Sequence, residues 1–172
     1  MGVLLFNLRV HDLMKRRSDI QYRILKLTKK MNNLTEYSTL VGNDTLSMAE
    51  LMAMPGAMFG RTMNYMNYAQ QYATGYMNHH AQYALQMQAQ QNGGQIDPMT
   101  QHYVMQQLYN QGREKVVEME TRRLKNEEQR LAAEKEKEET MLKEVEAELQ
   151  AAKQARDAGI KDMTPNYVGG GR

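Results

Sequence analysis

The chain has 172 residues and no cysteine, which excludes disulfide scaffolds, thiolate catalysis and Cys-ligated metal centres. Its net charge of +2 is too small to attract nucleic acid or a membrane surface by overall charge. Its three prolines and twelve glycines fall mostly in a few clusters and leave long helix-compatible stretches between them. The sequence therefore predicts an all-α protein, an elongated helical hairpin or coiled coil with two long helices of about 35 residues and a C-terminal helix of about 60 residues.

The first predicted element, residues 1–40, is a helix with a heptad seam. Ten positions between Val3 and Leu34 follow one another by alternating steps of three and four, and nine of them are apolar, with Arg17 as the exception. A period of 3.5 residues is typical of a helix that lies along another helix. The predicted contact residues of this seam are Val10, Leu13, Ile20, Ile24, Leu27 and Met31.

Residues 41–56 are predicted to form a turn and a short helix. Val41 to Asp44 is rich in turn residues, and Ser47 with Glu50 has the spacing of a capping box. Pro55 and Gly56 then interrupt the short helix, because proline disfavours helical geometry in the residue before it.

Residues 57–91 predict a second long helix, rich in Tyr, Met and Gln. Apart from Arg61, no charged residue occurs between Glu50 and Asp97. A tyrosine ring buries a large area and its hydroxyl still finds a hydrogen bond, which suits interfaces, while Ala and Met on an adjoining face allow close packing. We therefore predict that this helix packs against helices of its own or a neighbouring subunit. The predicted contact residues on its tyrosine face are Tyr65, Tyr68, Tyr72, Tyr76 and Tyr83.

Two alternatives apply to the same segment. Thioether and imidazole groups of the kind that bind copper(I) are present; they belong to Met63, Met66, Met77, His79, His80 and His102. On a helix the adjacent His79 and His80 point about 100° apart and do not converge on one ion, so we predict no metal and no other cofactor. The Gln/Asn richness also leaves open a disordered isolated chain that folds on assembly.

Residues 98–158 predict the longest helix. Asn92-Gly93-Gly94 ends the preceding helix, and Asp97-Pro98 supplies an N-cap residue followed by proline at the first helical position. Within residues 113–157, eleven basic and thirteen acidic residues alternate, with pairs four apart such as Glu118 and Arg122. Residues 1–36 carry eight basic and three acidic residues, so the two ends of the chain should attract each other. Residues 159–172 predict a non-helical tail after Gly159.

Catalytic and nucleic-acid-binding patterns are absent from the sequence. It has no nucleophile elbow, phosphate loop, HExxH or GxGxxG motif, so we predict no catalytic residues and no enzymatic activity. The basic clusters Lys15-Arg16-Arg17 and Lys29-Lys30 fit a solvated helix face, or one that pairs with the acidic residues of 134–148, better than a nucleic-acid site. Val3 to Phe6 followed by basic residues fits an interfacial anchor, although we regard membrane association as the weaker interpretation.

These features predict a non-enzymatic structural subunit that self-assembles through helical packing into a homo-oligomer or filament. The alternatives are a cytoplasmic coiled-coil adaptor or chaperone-like protein with a heterologous helical partner, and a peripheral membrane organiser. With no secretory signal pattern, the expected location is cytoplasmic or exported without a cleaved signal peptide. Terminal helices around a Gln/Asn-rich middle, without Cys or Trp, resemble the architecture of axial filament proteins exported by type III secretion or flagellar machinery. The resemblance implies a secretion-related filament subunit; the expected non-helical tail departs from it, and no motif or residue role is carried over.

Overall fold

The computed structural model describes residues 2–43, 48–91 and 93–163, which form four helices and contain no strand. The helices are α1 (Gly2–Asn43), α2 (Met48–Ala53), α3 (Gly56–Gln91) and α4 (Pro98–Met163). The predicted all-α class, with three long helices and one short one, is therefore confirmed.

Three helix boundaries differ from the sequence-based prediction. α3 begins at Gly56, one residue earlier than predicted. α1 continues past residue 40 to Asn43, because Val41 is only 1% exposed and its packing holds the last turn helical, so the turn predicted to begin at Val41 is wrong. α4 continues past residue 158 to Met163, so the prediction that Gly159 ends the helix is wrong. A Cβ built at Gly159 would lie 3.1 Å from a methyl group of Val3, which shows that α1 packs against this last part of α4. The capping-box residue Ser47, the turn residue Asp44, Asn92 and residues 164–172 of the expected tail lie outside the described residues.

The connection between α3 and α4 follows the predicted chemistry. Gly93 and Gly94 have φ angles of 74° and 96°, which only glycine adopts readily. The Gly94 N–H donates to the Ala89 carbonyl at 2.8 Å, the six-to-one bond of a Schellman motif. At the start of α4, Asp97 Oδ1 accepts a hydrogen bond from the Met99 N–H at 3.0 Å, which confirms Asp97 as the N-cap.

The chain forms two compact units, and the first consists of residues 1–31 and 129–172. Its helices are antiparallel, because Arg9 donates to Glu148 at 2.9 Å whereas Arg23 lies 3.5 Å from Glu138. The expected attraction between basic and acidic segments is thus present. Among the ion pairs described for this unit, however, none joins the predicted basic clusters to α4, and Arg16 pairs with Asp12 of its own helix. Val10, Leu13 and Leu149 form the centre of the core, with Val145 and Ala152 at its edge.

The second unit consists of residues 32–128 and combines the end of α1 with α2, α3 and the first part of α4. α3 and α4 are antiparallel, since Arg61 pairs with Glu127 and Tyr76 with Lys115. Their closest approach is at Gly112, where an added Cβ would lie only 2.8 Å from the Cα of Ala73. Ala73 is fully buried, so the small residues that the sequence placed beside the tyrosines are used inside the chain.

Candidate interaction surface

A charged network joins the three long helices of the second unit. Arg61 of α3 lies 3.0 Å from Glu127 and 3.8 Å from Glu120 of α4, and its guanidinium stacks 4.4 Å from the centre of the Tyr37 ring of α1. The Tyr37 hydroxyl donates to Glu120 at 3.2 Å. Because one cation contacts two carboxylates and an aromatic face, this network fixes the position of α1 on the α3–α4 pair.

Tyr37 is the most perturbed titratable group described. Its side chain is 2% exposed, and burial raises its pKa to about 12, with the negative charge of Glu120 as the second cause. Its ring also meets the edge of Tyr65 at 6.5 Å between centroids. Tyr37 therefore serves as a neutral, packed hydrogen-bond donor rather than as a catalytic base.

A groove of about 870 Å³ lies beside this network in the second unit. Gly56 and Gly60 lie along it, and a Cβ at either position would meet nothing within 4 Å. Tyr65, Tyr68 and the highly exposed Arg123 also line the groove. The open space above two glycines leaves room for the backbone of another chain.

The tyrosine face of α3 changes its environment along the helix. Tyr65 and Tyr83 are eighteen positions apart, five full turns of an α-helix, so they point to the same side. Tyr65 is nevertheless 7% exposed and Tyr83 is 67% exposed. The difference comes from α1, whose Tyr37 covers Tyr65, whereas the described core around Ala81 is built from α3 and α4 alone. The side of α3 that packs on α1 near Tyr65 is therefore open to solvent near Tyr83.

We call this region the open face. It comprises the exposed residues His79, Tyr83 and His102 and the half-buried residues Tyr72, Tyr76 and Tyr109, which continue the rows of side chains that pack near α1. Between residues 62 and 112, which include the open face, Asp97 is the single Asp, Glu, Lys or Arg in the sequence. The residues of the open face thus supply aromatic rings and hydrogen-bonding groups and no fixed charge of their own, although the exposed Lys115 ammonium borders the face, 4.3 Å from the centre of the Tyr76 ring.

A thin apolar core lies under the open face. Ala81, Val104 and Leu108 are buried between α3 and α4, and the residues around them are half-buried, including Met77 and Met105. A pair of helices covers each apolar stripe on one side only, and a further layer is usually needed to complete such a core.

The predicted contact residues differ in their exposure to solvent: some are buried, some half-buried and some exposed. Seam residues Val10, Leu13, Ile20 and Leu27 are buried in the first unit, and Ile24 and Met31 are half-buried there. On α3, Tyr65 is buried and Tyr72 and Tyr76 are half-buried, while Tyr68 and Tyr83 are exposed. The α1 seam is thus occupied by α4 of the same chain, and the five tyrosines do not form one uniform surface. The part of the prediction available to a partner is the open end of the tyrosine face.

The fold also places the histidines of the copper alternative. His79 and His80 meet edge to face with centroids 4.9 Å apart, and His80 stacks on Tyr76 at 4.3 Å. Among the described residues, no group of three or more His, Cys, Asp or Glu side chains is placed to hold a metal ion.

Comparison with protein-family models, curated proteins and solved structures finds no match to this chain. Within the described ranges, no helix is long and apolar enough to cross a membrane.

Proposed function

We propose that this protein is a non-enzymatic structural subunit that self-associates through the open face of α3 and α4. The observation that carries the proposal is the contrast between Tyr65 and Tyr83, which lie on one side of α3 with exposed fractions of 7% and 67%. Where α1 is present, this side is core. Beyond the last contacts of α1, the same side has the composition of a core or interface but faces water.

A second copy of the open face is the occupant that fits best. The residues of the open face carry no fixed charge, and Lys115 beside Tyr76 is exposed at its border, so two such faces can meet without burying an unpaired charge. Two helical hairpins packed in this way give a four-helix arrangement, and a symmetric pair uses the same surface on both copies. Exposed tyrosine supplies contact area and a hydroxyl that retains a hydrogen bond.

A filament requires a second, different contact surface, and the first unit offers one. Leu4, Leu5 and Leu8 near the start of α1 are 73%, 70% and 68% exposed, on the side of the helix opposite Val10 and Leu13. If both surfaces are used, the copies extend into a chain of subunits; if only the open face is used, they stop at a dimer.

The test is light scattering with negative-stain microscopy over a concentration series. Wild type should show mass above the monomer that increases with concentration, and Tyr83→Ser should shift the curve towards monomer. Tyr22→Ser is the matched control, because Tyr22 is also 67% exposed but lies on α1 in the first unit. A monomer at every concentration, with full helix content by circular dichroism, would refute the proposal.

A heterologous helical partner is the second candidate, and the groove beside Arg61 favours it. Gly56 and Gly60 allow close backbone approach there, while Tyr65 and Tyr68 provide aromatic contact. This adaptor function predicts a protein that stays monomeric alone and forms a defined complex whose affinity falls in Gly60→Leu. Gly75→Leu is the control, because position 75 does not line the groove.

A further inference from the structure

Histidine is concentrated where fixed charge is scarce. Three of the four histidines, His79, His80 and His102, lie between residues 62 and 112, where Asp97 is the single Asp, Glu, Lys or Arg. The fourth, His11, lies on α1 in the first unit. Histidine is the side chain on which mild acid most readily places a positive charge, so these three residues are the groups through which acid would act on this segment.

Two of these histidines are on the open face itself. His79 is exposed and lies seven positions after Tyr72 and four before Tyr83, which places it in the row of exposed rings. His102 is exposed on α4, seven positions before Tyr109. The half-buried His80 stacks on Tyr76 at 4.3 Å and borders the row.

The groups described around His79 and His80 oppose added positive charge. The Lys115 ammonium lies 4.3 Å from the centre of the Tyr76 ring and 3.2 Å from its hydroxyl, so a protonated His80 would share that ring with an existing cation. His79 and His80 are 4.9 Å apart and would repel each other if both were protonated. Asp97, near the start of α4, is engaged with the Met99 N–H and the Thr100 hydroxyl. No contact described for His79 or His80 is with a carboxylate.

We propose that the open face is a pH-sensitive interface, which holds two copies together at neutral pH and releases them when its histidines are protonated. This inference rests on the proposed self-association and adds its regulation. A neutral imidazole between aromatic rings is buried at little cost, whereas an imidazolium loses its hydration and meets the same charges on the second copy. Acidification therefore weakens the contact without requiring α3 or α4 to unfold.

The size of the effect follows from linkage. If a histidine must be neutral in the contact, association weakens by about tenfold when the pH falls one unit below the ordinary histidine pKa of about 6.5. Two copies each contribute the same residues, so one such histidine per chain weakens a dimer by roughly a hundredfold. An effect of this size moves a protein from assembled to free over a narrow range of pH.

The experiment is sedimentation velocity at about pH 7.5 and about pH 5.5, with circular dichroism at each pH to follow helix content. Wild type should associate at the higher pH and dissociate at the lower one. A variant with His79→Gln, His80→Gln and His102→Gln should associate alike at both pH values. Single His79→Gln should lose part of the pH dependence, and His11→Gln, the control in the first unit, should behave as wild type.

The outcomes separate this inference from the function on which it rests. Association of equal strength at both pH values refutes the inference and leaves the proposed function standing. A triple variant that dissociates at low pH as wild type does also refutes it, because other groups must then be responsible. A wild-type chain that is monomeric at both pH values refutes the proposed function and the inference together.

Discussion

Replacing Gly112 by alanine should loosen the contact between α3 and α4 and destabilise the protein. The added Cβ would lie 2.8 Å from the Cα of Ala73, 3.2 Å from the Cβ of Tyr76 and 3.3 Å from the Cβ of Ala73. The nearest of these atoms belongs to the backbone, so no side-chain rotation relieves the clash. To restore ordinary contact at about 3.6 Å, the helices must separate locally by roughly 0.8 Å.

Two opposing effects determine the magnitude. Alanine in a helix interior is favoured over glycine by about 0.5–1 kcal/mol, whereas overpacking a tight contact costs about 1–3 kcal/mol. The clash prevails here, because a separation of this size also weakens the neighbouring contacts of the buried residues Ala69 and Ala73. We expect a net loss of about 1–2 kcal/mol, which corresponds to a fall in Tm of about 2–8 °C for a chain of this length.

Gly75→Ala is the matched control for thermal unfolding followed by circular dichroism. Gly75 is also inside a long helix, but a Cβ there would meet nothing within 4 Å. This variant should gain about 0.5–1 kcal/mol, so the two Tm shifts should have opposite signs. Equal stabilisation by both substitutions would refute the close α3–α4 contact at Gly112.

Three further predictions concern the cores and the charged network. Leu13→Ala should reduce the free energy of unfolding, measured in urea, by about 2–5 kcal/mol, because Leu13 is fully buried. Leu25→Ala should reduce it by less than about 0.5 kcal/mol, because Leu25 is 68% exposed. Similar losses for the two variants would contradict the assignment of Leu13 to the buried seam. Arg61→Gln should reduce the free energy of unfolding by about 1–2 kcal/mol in the same assay, a loss that is limited because the side chain is partly exposed to solvent. A loss near zero would mean that the network does not stabilise the fold. The pKa of Tyr37 is raised from 10.0 to about 12, so this residue should contribute stability that is complete below pH 10 and lost as the pH rises towards 12. The Tm difference between wild type and Tyr37→Phe should therefore shrink over that range. A constant difference would contradict the burial of the hydroxyl.

The fold class was predictable from the sequence because helix signals are local. Asp97 before a proline and the Gly93-Gly94 pair mark helix ends by backbone chemistry that needs no tertiary context. The predicted helix end at Gly159 was wrong because that signal is only local. Glycine favours helix ends there too, but packing against Val3 keeps α4 helical. A local preference of about 1 kcal/mol is readily overridden by tertiary packing.

The candidate surface was predictable only in part. The tyrosine spacing identified an interfacial helix, yet it did not separate Tyr65 from Tyr83, because periodicity gives the side of a helix and not what covers it. The sequence reasoning also missed the Arg61 network, which joins three helices through Tyr37 and Glu120. The sequence feature that could have indicated this network is the isolation of Arg61, the one charged side chain between Glu50 and Asp97.

The most direct test of the open face as an interface uses the absence of cysteine from the chain. A trace amount of Tyr83→Cys is mixed with increasing wild type, and the rate of thiol labelling by a maleimide is measured at each concentration. If the open face is the interface, the labelling rate at position 83 falls as wild type is added, whereas the rate at position 22 in Tyr22→Cys stays constant. A rate at position 83 that does not change while scattering shows assembly would place the interface elsewhere and contradict the central claim.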